Sequence, residues 1–313
     1  MAYKGGVSLP RWQNTLDVSL LKKPGKFRPS ELRTIGQLEA DFNQGAAVHF
    51  SKRMMDRALK LNLIPSSQYA KKGSNCIDAA LVKILFFEHL RFRRLSGTYM
   101  TKDLMQCFDR MAHPVSALCT RRLGVPPMVV KSMISSLTRM RHFLRTAYGD
   151  SAISYGGNLT KPLQGAIQGN GAAAQIFVAL SCVMIAFLET QVTGFSITTS
   201  LSLTILSFVV VMYVNDADIL LSAHNYHESV DSLVRRTQHA ANIWRIGAEQ
   251  TGAALRPEKC QWYLITFRWK NGKPLFNSIA QTPAQIVQRD TNGVEQVVTR
   301  CEVSDSIKGL GIY

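Results

Sequence analysis

The chain has 313 residues, 46% of them apolar and 19% charged, which excludes wholesale disorder and suits one large domain or two ordinary ones. Residues 1–150 carry 25 Lys+Arg against 10 Asp+Glu, net +15, while residues 151–313 carry 12 against 11, net +1. An excess so placed points to a polyanionic partner, nucleic acid or an anionic membrane surface, with a solvated basic face kept for solubility as the plainer alternative.

The first 35 residues are basic and irregular, densest at Lys22-Lys23-Pro24-Gly25-Lys26-Phe27-Arg28-Pro29, where Pro and Gly predict a turn between two short strands. From Gln37 to about Leu61, apolar Leu38, Phe42, Ala46, Phe50, Met54 and Ala58 recur every four positions, as in an amphipathic helix. A second helix is predicted over Asn75 to Arg94, with Ile77, Leu81, Ile84 and Leu85 inward and Arg91-Phe92-Arg93-Arg94 at its end. Thr98 to Leu104 reads as a short strand, and a helix follows Phe108.

Gly124-Val125-Pro126-Pro127 is a stop-and-restart signal, after which a helix is expected to about Phe143, carrying Arg139 and Arg141. Gly-rich Gly156 to Gly171 leads into an apolar helix over 172–188. Period-two alternation in Leu201-Ser202-Leu203-Thr204-Ile205 predicts a half-buried strand. A hairpin is expected next, with one strand to Val214, a turn at Asn215-Asp216 and a strand through Leu221. Residues 226–250 form an amphipathic helix with Leu233, Thr237, Ala241 and Trp244 on one face, and Trp262 to Phe267 is a strand by composition. The mixture predicts an α+β protein.

Val192 to Val214 carries no charge, and Ala172 to Leu188 has only Gln175 and Ser181 as polar residues, so length alone allows either to span a membrane. The alternation and the turn favour burial of both in a soluble protein, and no membrane is expected. The six cysteines, Cys76, Cys107, Cys119, Cys182, Cys260 and Cys301, show no CxxC or other metal-ligand spacing. With no signal peptide, free thiols in a reducing compartment are expected, which places the protein inside the cell, in nucleus or cytoplasm.

Two features carry chemistry. Asp103 stands at the end of a predicted strand, in Lys102-Asp103-Leu104-Met105-Gln106-Cys107-Phe108-Asp109, and Tyr213-Val214-Asn215-Asp216-Ala217-Asp218 forms a hairpin tip. Carboxylates from a strand end and a neighbouring hairpin suit Mg²⁺, which prefers oxygen ligands and substrate phosphates. Singly, Asn-Asp is a common turn and Asp103 a possible helix cap.

Taken in order, the motifs resemble the reverse transcriptase domains of retroelements, especially non-LTR retrotransposons. Lys22-Lys23-Pro24-Gly25 with Leu32-Arg33-Thr34-Ile35 resembles the fingers motifs, and Asp103 to Asp109 the first palm motif. Gly165-Ala166-Ile167-Gln168-Gly169-Asn170-Gly171 resembles the GxxQG block, Tyr213 to Asp216 the YxDD hairpin, Gly252 to Cys260 the next palm motif, and Leu310-Gly311 the start of the palm-to-thumb hairpin.

The resemblance implies a right-hand polymerase fold, with basic fingers over 1–98, a palm over 99–313 and the thumb missing or truncated. It implies RNA-directed DNA polymerisation with Mg²⁺, an RNA template, a DNA primer and deoxynucleoside triphosphates as partners. Asp103 and Asp216 would be the metal ligands. Lys23 and Arg33 would neutralise the triphosphate, with Arg28 competing for that place. Phe108 would lie under the nucleotide sugar or serve as a core aromatic. Gln168 and Gly169 would approach the base pair. Lys259 would protonate the leaving pyrophosphate or stand as a solvated helix-end lysine.

Three departures bear on activity. Asn215 stands where the family has its first hairpin aspartate, Ala173 and Ala174 replace a common Ser-Pro, and the sequence ends at Tyr313, where a thumb is expected to begin. An amide at 215 keeps one neutral oxygen and loses the charge, so impaired catalysis is expected, with Asp218 too far along the strand to substitute. A repurposed, non-catalytic nucleic-acid-binding relative is the alternative.

Overall fold

The computed structural model describes residues 2–25, 28, 32–158, 160–199 and 201–305. A short helix α1 (Ala2–Gly5) precedes β1 (Asn14–Leu21) and β2 (Leu32–Leu38), which pair antiparallel from Thr15↔Leu38 to Leu21↔Leu32. The two strands flank the basic turn as expected. Lys26, Phe27 and Pro29 of that cluster, and the Leu310-Gly311 motif, lie outside the described residues.

The four-residue apolar spacing after β2 becomes one helical run in three parts: α2 (Ala40–Ala46), a π-helical stretch Ala47–Met54, and α3 (Met55–Lys60). Phe42, Ala46, Phe50, Met54 and Ala58 are all buried. A strict period of four drifts off a 3.6-residue helix, and the wider i→i+5 turns in the middle keep the stripe on one side.

Helix α4 (Cys76–Arg93) begins at Asn75, whose side chain accepts from the Asp78 amide while the Asp78 carboxylate accepts from the Asn75 amide. Its predicted inner face is turned the other way. Ala79, Val82, Lys83, Phe86 and Leu90 are buried, and Ile77, Leu81, Ile84 and Leu85 face out. The helix is apolar on both sides, so periodicity alone selects no face; the packing of the inner row against a sheet decides.

After α4 come β3 (Gly97–Lys102), α5 (Cys107–Arg110), α6 (His113–Arg122) and α7 (Pro127–Thr138). The helix expected to reach Phe143 stops at Thr138, and Arg141–Thr146 is strand β4, parallel to β1 from Asn14↔Arg141 to Val18↔Arg145. Tertiary pairing overrides local propensity there. A two-residue β5 (Gly149–Asp150) follows, then the long helix α8 (Ala173–Gln191).

Strands β6 (Phe195–Thr198) and β7 (Ile205–Phe208) form a hairpin. Of the strand expected at 201–205, residues 201–204 belong to its turn and Ile205 opens β7. Thr199, Ser202 and Thr204 hydroxyls bond one another, and the Thr204 amide bonds the Thr199 hydroxyl, an arrangement that competes with a strand. Leu201, Leu203 and Ile205 are exposed, so the second apolar run is only partly buried, whereas most of 172–188 is buried as expected.

The chain continues through β8 (Val210–Tyr213), β9 (Asp216–Ser222), α9 (Val230–Gln250), β10 (Gln261–Ile265), β11 (Phe267–Lys270), β12 (Lys273–Phe276), β13 (Val287–Arg289), β14 (Glu295–Val297) and β15 (Thr299–Arg300). Leu233, Thr237, Ala241 and Trp244 of α9 are buried as expected.

The chain divides into two units, residues 1–64 with 106–180 and residues 65–105 with 181–313. A single cut at residue 98 does not describe this division, because α4 packs with the sheet of the second unit. The first unit carries 19 Lys+Arg and 7 Asp+Glu, net +12, and the second 18 and 14, net +4.

The sheet of the first unit runs β2-β1-β4-β5. Its polar centre is Asp17, which accepts hydrogen bonds from the Tyr155 hydroxyl and from His142 Nδ1, the latter at 2.8 Å. The sheet of the second unit runs β15-β10-β3-β9-β8, with β3 at its centre. One face packs Tyr99, Val211, Leu220 and Tyr263 against Phe86 and Leu90 of α4. The other face meets α9, where the hydroxyls of Thr98 and Thr237 lie 2.7 Å apart.

Burial acts to raise the Asp17 pKa, but hydrogen bonds from His142 and Tyr155 outweigh it and hold the carboxyl below its ordinary range. A depressed folded pKa contributes stability that is present above the unfolded value and is lost as pH falls through the folded one. We expect Asp17→Asn to cost about 1–3 kcal/mol at pH 7 and to remove this part of the acid sensitivity, which lies below about pH 4. Urea denaturation at pH 7 and pH 3 measures both; equal stability of parent and variant at pH 7 would refute the assignment.

Candidate active site

Asp103 is the first residue beyond β3. The antiparallel register pairs Thr101 with Asp218 and Lys102 with Ala217, so its continuation sets Asp103 opposite Asp216. The expected turn shifts by one residue. Tyr213 pairs with Asp216, leaving Val214 and Asn215 as the two turn residues. Val214 holds φ +54, a left-handed value that costs a β-branched side chain about 1–3 kcal/mol. That strained turn places Asn215 and Asp216 at the sheet end beside Asp103.

Asp216 is exposed, yet desolvation of its carboxyl and then the charges of Asp218 and Asp103 raise its pKa. A negative potential that resists a further negative charge favours a cation. Lys259 closes a short 3-10 turn, Pro257–Lys259, and its Nζ lies 3.7 Å from Asp103 Oδ2. The Arg256 amide donates to the Asp103 carbonyl at 3.1 Å, which fixes the backbone of this corner.

Asp218 shares the strand face of Asp216, as expected from the period of two, but it is only 5% exposed. Lys83 Nζ reaches its Oδ2 at 2.5 Å from α4, and the Tyr99 hydroxyl donates to the same carboxylate. Burial pushes the Asp218 pKa up and Lys83 works against that rise. Asp218 is thus committed to Lys83 and Tyr99 in the interior. On the opposite side of β3, Lys102 is 3% exposed, its Nζ has no hydrogen-bond partner among the described residues, and burial pushes its pKa down to about 8.

Asp103 and Asp216 supply charged oxygen donors that fit one Mg²⁺, completed by substrate phosphates. Among the described residues, no group of three or more His, Cys, Asp or Glu side chains is placed to hold a metal.

The other expected site residues lie in the first unit. Lys23 is exposed in the turn after β1, and Arg33 is exposed on β2 opposite Leu20. The Gly-rich block forms a strap over β2: the Gly36 amide donates to the Gln168 carbonyl at 2.7 Å, and the Gly169 carbonyl accepts from Asn43 at 3.2 Å. Gly169 holds φ +116, and a Cβ there would run into the Gly36 carbonyl, so the close approach requires glycine. The strap also reaches α5, where the Ala166 amide donates to the Phe108 carbonyl at 2.8 Å. Phe108 packs edge-to-face on Phe177, with centroids 6.2 Å apart. Arg28, the alternative to Arg33, already has an interaction partner.

Lys83 escaped the sequence reading; a single lysine inside an otherwise apolar helical row was its signal. Helix α8 is long and apolar enough to cross a membrane, and most of it is buried in the protein.

No family model and no curated protein matches the chain. Among solved structures it is similar to apo telomerase from Candida tropicalis, at 10% identity and a TM-score of 0.52, with 93% of this chain and 48% of that chain covered. The form of that telomerase truncated from its C-terminal domain gives 13% identity and a TM-score of 0.50, with 93% and 56% covered. The chain thus spans about half the length of these telomerase chains. The likeness shows that the chain shares the right-hand polymerase fold of these telomerase structures.

Removing one member of a buried pair leaves an uncompensated charge. We expect Lys83→Met to cost about 3–5 kcal/mol and the double variant Lys83→Met/Asp218→Leu to recover most of that loss. Chemical denaturation of both proteins tests this; a double variant no more stable than the single one would show that the pair is not the source.

Proposed function

We propose that the chain is an RNA-directed DNA polymerase domain of retroelement type whose catalysis is impaired. The observation that carries the reading is the placement of Asp103, at the end of the central strand, opposite Asp216 at the strained hairpin, within a reverse-transcriptase-like fold.

The reaction joins the primer 3′-hydroxyl to the α-phosphorus of a deoxynucleoside triphosphate and releases pyrophosphate. Mg²⁺ bound by Asp103 and Asp216 would assist deprotonation of the hydroxyl and neutralise phosphate charge. Lys259, beside Asp103, carries a proton that the departing pyrophosphate can accept. The resemblance implies that Lys23 and Arg33 would neutralise the triphosphate, Phe108 would exclude a 2′-hydroxyl, and Gln168 and Gly169 would approach the base pair. RNA template and DNA primer are the partners, held largely through phosphates.

Asn215 weakens this arrangement through charge. A loss of roughly 4 kcal/mol of electrostatic stabilisation slows chemistry about a thousandfold. A second reading, a non-catalytic nucleic-acid-binding relative, is favoured by one observation: the nearby carboxylate that would restore the charge, Asp218, is held by Lys83.

Single-nucleotide incorporation on a primed RNA template separates the readings. Asn215→Asp is expected to raise incorporation at least about tenfold, or 1.4 kcal/mol, and Asp103→Asn added to it to abolish the gain. RNA binding is expected to weaken steeply with salt. Robust synthesis by the unaltered chain would overturn the impairment; equal inactivity of both forms, with salt-dependent binding retained, would favour the second reading.

A further inference from the structure

At the end of the palm-like sheet opposite to Asp103, the second unit carries a cleft of about 700 Å³. Six residues of β3 at about 3.3 Å each separate the two ends by roughly 20 Å. The last turn of α4 supplies Arg91, Phe92, Arg93 and Arg94; Ile197 of β6 and Trp269 and Pro274 of the β11–β12 hairpin complete the walls. That hairpin turns at Asn271-Gly272, both at positive φ, and also bears Arg268, Lys270 and Lys273.

Three features of this cleft point to a ligand. Its one acidic lining residue, Glu88, is taken up by Arg91, and neither Arg93 nor Arg94 has an ion pair among the described residues. Phe92 is 83% exposed beside these guanidinium groups, an aromatic ring with no packing to account for it. Arg94 closes α4 at φ +56, where glycine is usual, and its guanidinium stacks over Trp269 at 4.6 Å from the ring centroid. Its left-handed backbone and its stacking both set the guanidinium against the ring in the cleft.

We propose that this cleft binds single-stranded nucleic acid, with a phosphate on Arg93 and unpaired bases stacked on Phe92 and on the Arg94–Trp269 pair. Basic grooves interleaved with exposed aromatic rings hold single strands in this way, with little sequence preference. A duplex offers no free base face to Phe92, and an acidic peptide would leave the ring unused. The site goes beyond the polymerase reading, since it uses neither Asp103 nor Asp216.

The test is fluorescence anisotropy of the full chain with a short fluorescein-labelled oligouridylate at several salt concentrations, with inorganic polyphosphate and polyglutamate as competitors. Phe92→Ala is expected to weaken oligouridylate binding about fivefold and to leave polyphosphate binding unchanged. Arg93→Ala is expected to weaken both and to reduce the salt slope by about 0.7. Arg94→Gly is expected to weaken oligouridylate without lowering the melting temperature, because glycine suits the left-handed backbone. Oligouridylate affinity unchanged in all three variants, or polyglutamate competing as well as an oligonucleotide of equal charge, would overturn the proposal. Primer extension is read separately, so a chain that fails to polymerise yet shows these losses supports the site.

Discussion

The buried ion pair between Lys83 and Asp218 constrains the second unit. Asp218 must face the same side of β9 as Asp216, because side chains alternate along a strand. One carboxylate at the sheet end therefore brings the other into the interior, where an unpaired charge is expensive. Helix α4 answers it with Lys83, in a row otherwise made of Ala79, Val82, Phe86 and Leu90. That contact fixes the rotation of α4, turns its second apolar row outward, and directs its final arginines to the far end of the sheet. The cation also lies near enough to act on Asp216, whose pKa it lowers against the opposing effect of its acidic neighbours. One interaction thus bears on the packing of the helix, the electrostatics of the carboxylates and the course of the basic helix end.

How much was legible in the sequence follows from which forces act locally. The β8–β9 hairpin, the strand before Asp103, the glycine block and the face of α9 are set by turn chemistry and short-range periodicity, and they appear near their expected positions. The parallel partner of β1 did not, because Arg141–Thr146 pairs along most of its length with residues more than a hundred positions earlier. The orientation of α4 is likewise a tertiary outcome, since both of its faces are apolar. The misplaced strand at 201–205 had an alternating pattern, but its hydroxyl residues bond their own backbone and close a turn. Of the candidate site, the placing of Asp103 at a strand end and of Asp216 at the hairpin was legible, while the partner of Asp218 was not, since Lys83 is far from it in sequence.

Backbone strain is also concentrated. Two β-branched residues adopt left-handed φ among the described residues, Val214 at +54 and Ile167 at +65. Each immediately precedes a proposed site residue, Asn215 and Gln168. Such conformations persist only where the surrounding structure overdetermines them. The β8–β9 pairing does so at Val214, and the Gly36–Gln168 hydrogen bond does so next to Ile167. The two places that resemble polymerase motifs are thus places where the fold opposes local preference, as expected of positioned groups rather than of ordinary loops.

These observations separate geometry from charge. The hairpin at Val214-Asn215 keeps its two-residue turn, its register and its strain, although residue 215 is an amide. Asn and Asp have nearly the same shape, so the turn is indifferent to the exchange; only the field at the carboxylates differs. Asp218 acts on that field only from its place in the interior, because releasing it from Lys83 would strand two buried charges at once. The scaffold thus places two carboxylates beside a strained hairpin, and an aspartate at 215 would add one charge there without altering the turn.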